Sequence, residues 1–127
     1  MVSTGIGCDN IDIVMNELDA LANINFETRY QHDTFRQLEL VRIGTCGGLQ
    51  PYTPIGTFIC SEKSIGFDGL LNFYKGRNQI CDLEMEQNFM EQVGWSRLLT
   101  SPYFVRCSDR LAELFADVTV PGMTISA

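Results

Sequence analysis

The sequence predicts an α/β fold in which helices flank a mixed, largely parallel sheet. Two kinds of segment alternate along the chain: stretches with apolar residues at helical spacing, and short apolar runs that end in turns. The first helical stretch directly follows a glycine-rich turn, as in chains where a strand leads into a helix. Because strands that alternate with helices pair in parallel through crossovers, we expect most of the sheet to be parallel.

The first helix is predicted over residues 11–21, where apolar residues recur on one face. Asp9 or Asn10 is placed to cap it, because either side chain can accept from the free N–H groups of the first turn. Residues 24–37 are polar and irregular, and they predict a loop. The apolar face consists of Ile11, Val14, Met15, Leu18 and Leu21.

Two further helices are predicted in the second half of the chain. Residues 82–93 have helical periodicity, and Gly94 can end that helix. Residues 109–115 form a short helix with Ser108 as its cap. The apolar stripe of the longer helix comprises Met85, Phe89 and Val93.

A buried strand is predicted at residues 38–43, a mostly apolar run that stops at the glycine-rich loop 44–48. Residues 2–4 have the pattern of a strand's last residues. The remaining extended segments are predicted at residues 56–65, 103–106 and 118–127.

The composition is typical of one globular domain, and it argues against nucleic acid and membranes as partners. The chain has 127 residues, within the range of about 100–200 for a single domain. Its net charge of −7 argues against nucleic acid and anionic membranes, because both require clustered cations. No apolar run approaches the length of a membrane span, and no signal peptide is visible.

The five cysteines are widely spaced and contain no CxxC pair. We therefore expect neither a disulfide framework nor a zinc or other metal site. Reduced thiols indicate a cytoplasmic protein.

Two glycine-rich loops follow predicted strands, at residues 5–7 and 44–48, and ligands bind beyond the carboxyl ends of strands in open α/β sheets. The first loop is not a dinucleotide fingerprint, because Asn10 stands where a third glycine is needed. A tight turn between strand and helix is the favoured explanation.

The second loop has the parts of a phosphate cradle. Arg42 ends an apolar run, where its guanidinium is costly to bury without an anion. Gly44 permits close approach of the backbone, and Thr45 supplies a hydroxyl and an N–H group. An exposed arginine followed by a glycine turn is the alternative explanation.

Three stretches carry a family resemblance: VSTGIG at residues 2–7, VRIGTCGGLQP at residues 41–51, and PIGTFI at residues 54–59 with a later Asp-Gly. Together they resemble the nucleoside phosphorylase superfamily, of the uridine phosphorylase type. The resemblance implies that Arg42, Gly44 and Thr45 bind phosphate. It also implies that Thr45, Cys46 and Gly47 contact the nucleoside.

The resemblance implies phosphorolysis, in which a nucleoside and phosphate give a free base and ribose 1-phosphate. Arg42 and Thr45 are the expected catalytic residues. They act by positioning and electrostatics, and no protein nucleophile is needed. Inorganic phosphate is a co-substrate, and we expect no cofactor. We expect uridine to be the preferred substrate. The alternative functions are a purine nucleoside phosphorylase, a nucleosidase that uses water, and a non-catalytic α/β chain.

The family also contains segments before and after those found in this sequence. We therefore expect residues 1–127 to be the central part of a single nucleoside phosphorylase domain, with a phosphorylase/hydrolase-like fold incomplete at both ends. In the family dimers assemble into hexamers, so a homo-oligomer is expected.

Several other residues have structural explanations. The Glu-Met-Glu triplet at residues 84–86 spells a ribose-binding motif of the family, but it occurs too early in the chain, and we expect a surface helix with Met85 packed inward. Asn10 stands where the family's monovalent-cation site has a serine, and no ion is inferred. We expect an exposed loop position for His32 and core packing for Trp95. Another predicted strand end carries Arg106, Cys107, Ser108 and Asp109, and a place beside the pocket is the less favoured explanation for them.

Overall fold

The computed structural model describes residues 1–126, and the chain divides into two compact units between Ile43 and Gly44. The first unit contains one helix, and the second contains a sheet with helices beside it. Among the described residues, no helix is both long and apolar enough to cross a membrane.

The first unit is built on helix α1, Cys8–Asn23. Its N-cap is Gly7, and no side chain caps the helix, so the prediction that Asp9 or Asn10 is the cap is wrong. The start lies earlier because Gly7 adopts a φ of 103°, which favours glycine and turns the chain directly into the helix. The predicted helix itself is confirmed.

Asn23 ties the end of α1 to the segment that follows. Its side chain is buried, donates to the Asp19 carboxylate at 2.8 Å, and both accepts from and donates to the Arg36 backbone. Between them, the carboxamide of Asn25 accepts from two backbone N–H groups and closes a turn. The loop predicted at residues 24–37 is therefore confirmed, with its shape set by two asparagines.

The strand predicted at residues 38–43 is absent. These residues form no ladder, and Leu38 and Ile43 are 40% and 86% exposed. The strand ending predicted at residues 2–4 is likewise not formed. An apolar run becomes a buried strand only beside other strands, and the described part of the first unit contains none.

The second unit contains a three-stranded sheet in the order β2-β1-β3. Strand β1 is Ile59–Gly66, β2 is Tyr103–Arg106 and β3 is Val120–Ser126. The central strand β1 pairs antiparallel with β2 and parallel with β3. The sheet is therefore mixed, as predicted, while one of its two pairings is antiparallel.

Both helices predicted in the second half of the chain are present, and two short helices that the sequence did not predict come before them. After β1 come a short 3₁₀ helix, Leu70–Phe73, and helices α2, Arg77–Ile80, and α3, Leu83–Val93. Helix α4, Asp109–Phe115, connects β2 to β3. Asp82 caps α3 by accepting from Met85 N at 3.1 Å, and Gly94 ends it with a φ of 64°. Ser108 caps α4, as predicted.

An aromatic cluster surrounds Phe104, which with Ile65 is a buried apolar residue of the second unit. Phe89 of α3 lies 5.5 Å from Phe104 of β2 and 5.8 Å from Phe67, measured between ring centroids. Trp95 joins the cluster 5.2 Å from Phe67, and its Nε1 donates to the Thr100 carbonyl. Trp95 packs in the cluster but is only half-buried, so the prediction that it is a core residue is confirmed only in part. The cluster fixes α3 against the sheet.

Candidate functional site

Arg42 lies at the end of the first unit. It is in an irregular, exposed segment, and no carboxylate in the described part of that unit pairs with its guanidinium. The burial cost that the apolar run suggested does not arise, because the run is exposed. What remains is a guanidinium whose five donors are open to an incoming anion.

The glycine-rich loop opens the second unit. Gly44, Thr45, Cys46 and Gly47 are exposed, and within the described residues of this unit the Thr45 hydroxyl has no hydrogen-bond partner. A Cβ on Gly47 meets nothing within 4 Å, so the backbone is open to a ligand there. The hydroxyl and the thiol of this loop thus belong to exposed residues.

The next residues fix the end of that loop. Thr53 N donates to the Gln50 carbonyl at 3.1 Å, and the Thr53 hydroxyl donates to the same carbonyl at 2.8 Å. A Cβ on Gly48 would overlap this turn, with Thr53 Oγ1 at 2.7 Å, so only glycine fits. A second turn is closed in the same way, by Thr57 donating to the Pro54 carbonyl. The loop therefore leads into two successive turns before β1.

The turn before α1 is held by a hydrogen bond from a side chain of the helix. Gly5 and Gly7 both have positive φ, at 69° and 103°, which makes the turn possible. Asn10 Nδ2 donates to the Ile6 carbonyl at 2.6 Å. The asparagine thus serves the turn that precedes the helix and does not cap the helix.

Glu86 is buried, although the sequence predicted a surface helix at this position. It is 4% exposed, and its Oε2 lies 2.7 Å from Arg77 Nη2. Its Oε1 accepts from Phe104 N at 3.3 Å. The helix is confirmed and Met85 is half-buried as expected, but Glu86 is a buried structural carboxylate.

Arg77 completes this network from α2. Its Nε donates to Asn72 Oδ1 at 2.8 Å, Nη1 donates to Asn78 Oδ1 at 3.0 Å, and Nη2 also reaches the Pro102 carbonyl. A cavity of about 500 Å³ adjoins these side chains. Since the network's polar groups bond to one another, it joins the 3₁₀ helix, α2, α3 and β2 and has a structural role.

Two thiols have pKa values above the ordinary value. Burial raises the pKa of Cys81 most, while Arg77 opposes the rise and Glu86 adds to it. Burial also raises the pKa of Cys107, and the neighbouring Cys60, Asp109 and Glu62 raise it further. Neither thiol is therefore an activated nucleophile.

The remaining residues singled out in the sequence lie on the surface or beside a second cavity. His32 is exposed in a loop, as expected. Arg106 pairs with Asp109 at 3.8 Å on the surface, and both border a cavity of about 330 Å³ together with Cys107. Across residues 1–126, no cluster of three or more His, Cys, Asp or Glu side chains is arranged to hold a metal ion.

Sequence comparison assigns the family. The sequence model of the phosphorylase superfamily matches residues 1–127 of this chain. Comparisons with curated proteins and with solved structures find no match. The α/β architecture, with a mixed sheet flanked by helices, is consistent with a phosphorylase-like fold. The chain therefore belongs to the phosphorylase superfamily, and this membership indicates an enzyme of the nucleoside phosphorylase type.

Proposed function

We propose that the protein carrying this chain cleaves nucleosides with inorganic phosphate, with uridine as its preferred substrate. The observation that supports the proposal most strongly is the Arg-Ile-Gly-Thr stretch at residues 42–45, in a chain of the phosphorylase superfamily. The choice of uridine depends on the resemblance of this stretch and its flanks to uridine phosphorylases. We propose a cytoplasmic homo-oligomer as the working form.

In the proposed reaction, Arg42 and Thr45 hold phosphate with the backbone N–H of Gly44. One phosphate oxygen attacks the anomeric carbon of the ribose while the bond to the base breaks. The electron pair of that bond leaves with the base, and ribose 1-phosphate forms. The bound phosphate also stabilises the positive charge that develops on the sugar, so its placement is the protein's main contribution.

The exposure of the loop supports these roles. An anion can approach the open guanidinium of Arg42, and the unpartnered hydroxyl of Thr45 is free to donate. In the proposal, the backbone of Cys46 and Gly47 lies against the nucleoside. No cofactor takes part.

Substitutions of the phosphate residues test the proposal. Arg42→Ala removes a charged, two-pronged donor, and we expect kcat/KM for phosphate to fall by about 10²–10³-fold. The matched control is Arg97→Ala, which removes an exposed arginine outside the loop and is expected to leave the rate unchanged. An unchanged dependence of the rate on phosphate in Arg42→Ala would remove Arg42 from the mechanism.

The Thr45 hydroxyl is tested separately from its volume. Thr45→Val keeps the branched shape and loses the hydroxyl, so we expect about a tenfold loss in kcat/KM, the size of one hydrogen bond. Thr45→Ser keeps the hydroxyl and should lose much less. Equal losses in the two variants would assign the effect to packing and contradict a hydrogen-bonding role.

The alternative reactions give different products. A purine nucleoside phosphorylase cleaves inosine and leaves uridine intact, and a nucleosidase releases free ribose without phosphate. A non-catalytic chain releases no base. Measuring base, ribose and ribose 1-phosphate from uridine and inosine therefore distinguishes all four cases.

A further inference from the structure

Cys60 and Cys107 line the same cavity of the second unit. Cys60 is in β1, Cys107 directly follows β2, and both border the space of about 330 Å³ beside α4. Both are free thiols of intermediate exposure, so a small reagent can reach them. The proposed phosphorolysis uses neither residue.

The strand pairing brings these thiols together. Lys63 pairs with Arg106 in the antiparallel ladder, and one step further Cys107 N donates to the Glu62 carbonyl at 2.9 Å. Cys60 stands two residues before Glu62 on the same strand. The paired residues of β1 and β2 end at Lys63 and Arg106, so the ladder holds neither cysteine in place, and a disulfide needs Cα atoms about 4.4–6.8 Å apart.

The backbone at both cysteines can adjust. Cys107 lies beyond the last paired residue of β2 and before the Ser108 cap of α4. β1 has a register shift between Ser61 and Lys63, next to Cys60. Bulges and strand ends are the places where a ladder bends most readily. The influence of Cys60 on the pKa of Cys107 agrees with a short separation.

We propose that Cys60 and Cys107 form a reversible intramolecular disulfide when the protein meets a low-molecular-weight disulfide such as oxidised glutathione. One thiol loses its proton and attacks a glutathione sulfur, which releases one glutathione thiolate and leaves a mixed disulfide. The second thiol then loses its proton and displaces the other glutathione. Two protein thiols are oxidised, one glutathione disulfide is reduced, and the two protons pass to the released thiolates.

The bond would stabilise the second unit. It would join the start of β1 to the residue before the Ser108 cap of α4 and close a long loop that includes α2, α3 and β2. Closing a loop of this kind restricts the unfolded chain and raises the melting temperature. Reduction by dithiothreitol would restore the original melting temperature.

The test is oxidation of the native protein with oxidised glutathione, followed by peptide mapping by mass spectrometry. We expect one cross-linked peptide pair containing Cys60 and Cys107, two hydrogens lighter than the separate peptides. Cys60→Ser and Cys107→Ser should each lose that pair and instead carry a glutathione adduct on the remaining thiol. Cys81→Ser is the matched control, because Cys81 is also partly buried but lies outside this cavity, and it should form the link normally.

Three results would overturn the proposal: separate glutathione adducts on both thiols of the wild-type protein, a bond from either thiol to another cysteine, or no reaction at either position. Circular dichroism of each variant before oxidation checks that its fold is intact. Oxidation in urea supplies the comparison for selectivity, since pairing in an unfolded chain follows the length of the loop that each link closes and does not favour Cys60 with Cys107. A native pattern equal to the urea pattern would also contradict the proposal.

Discussion

Breaking the buried ion pair between Arg77 and Glu86 should lower the free energy of unfolding more than most single substitutions in this protein. The two side chains are 13% and 6% exposed, and their charged atoms are 2.7 Å apart. Glu86→Gln leaves the Arg77 charge buried without its counter-ion. We expect the free energy of unfolding to fall by about 3–5 kcal/mol, the range for breaking a buried pair. Arg77→Met should cost a similar amount.

Replacing both partners should cost less than the sum of the two single changes. In Arg77→Met with Glu86→Met no buried charge is left alone, although Phe104 N loses its acceptor. Buried ion pairs exchanged for apolar residues of similar volume are often close to neutral in stability. The coupling between the two sites should therefore be large and favourable.

Urea unfolding followed by Trp95 fluorescence measures these changes, because Trp95 lies in the aromatic cluster beside α3. Arg106→Met is the control. Its ion pair with Asp109 is exposed, at 64% and 85%, and should contribute about 0–1 kcal/mol. Single changes at Arg77 and Glu86 that cost no more than this control, or costs that simply add in the double variant, would refute the reasoning.

Three further predictions concern stability. The pKa values of Cys81 and Cys107 are raised in the folded state, so the unfolded chain loses these protons first as the pH rises. The free energy of unfolding should therefore fall above about pH 9. Urea midpoints measured against pH test this, and replacing both Cys81 and Cys107 by Ser should flatten the slope. Gly66→Ala should cost about 1–3 kcal/mol, because its Cβ would overlap the Tyr103 ring, whose hydroxyl donates to Asp68; a midpoint equal to that of wild type would contradict it. Asp82→Ala should cost about 1 kcal/mol through loss of the α3 cap, whereas Asp82→Asn should retain most of it in thermal unfolding.

Local signals in the sequence predicted the second unit well. The strand at residues 103–106 and the helix at 109–115 occur where expected, and Ser108 caps that helix. Gly94 ends α3 in the left-handed conformation that glycine tolerates. These features depend on a few adjacent residues, and for that reason they are visible in sequence alone.

Features that depend on distant partners were missed. The apolar run at residues 38–43 predicted a buried strand, but burial requires neighbouring strands that the described first unit lacks. Glu86 has the appearance of a surface residue, yet it is buried by Arg77 and by the backbone of Phe104. No local pattern identifies a carboxylate whose partners lie nine and eighteen residues away.

The start of β1 shows how turns limit such predictions. The sequence predicts a strand from residue 56, whereas β1 begins at Ile59. The delay arises because Thr57 closes a turn on the Pro54 carbonyl and Gly56 has a φ of 92°, which is incompatible with a strand. For the candidate site, the sequence supplied the residue types of the loop, and the structure adds that Gly48 is required by its contact with Thr53.

The most direct test of the proposed activity is the rate of uracil release from uridine as phosphate is increased. We predict that release requires phosphate, saturates with it, and yields ribose 1-phosphate in equal amount to uracil. Uracil release at the same rate without phosphate, or intact uridine under conditions where inosine is cleaved, would contradict phosphorolysis of uridine.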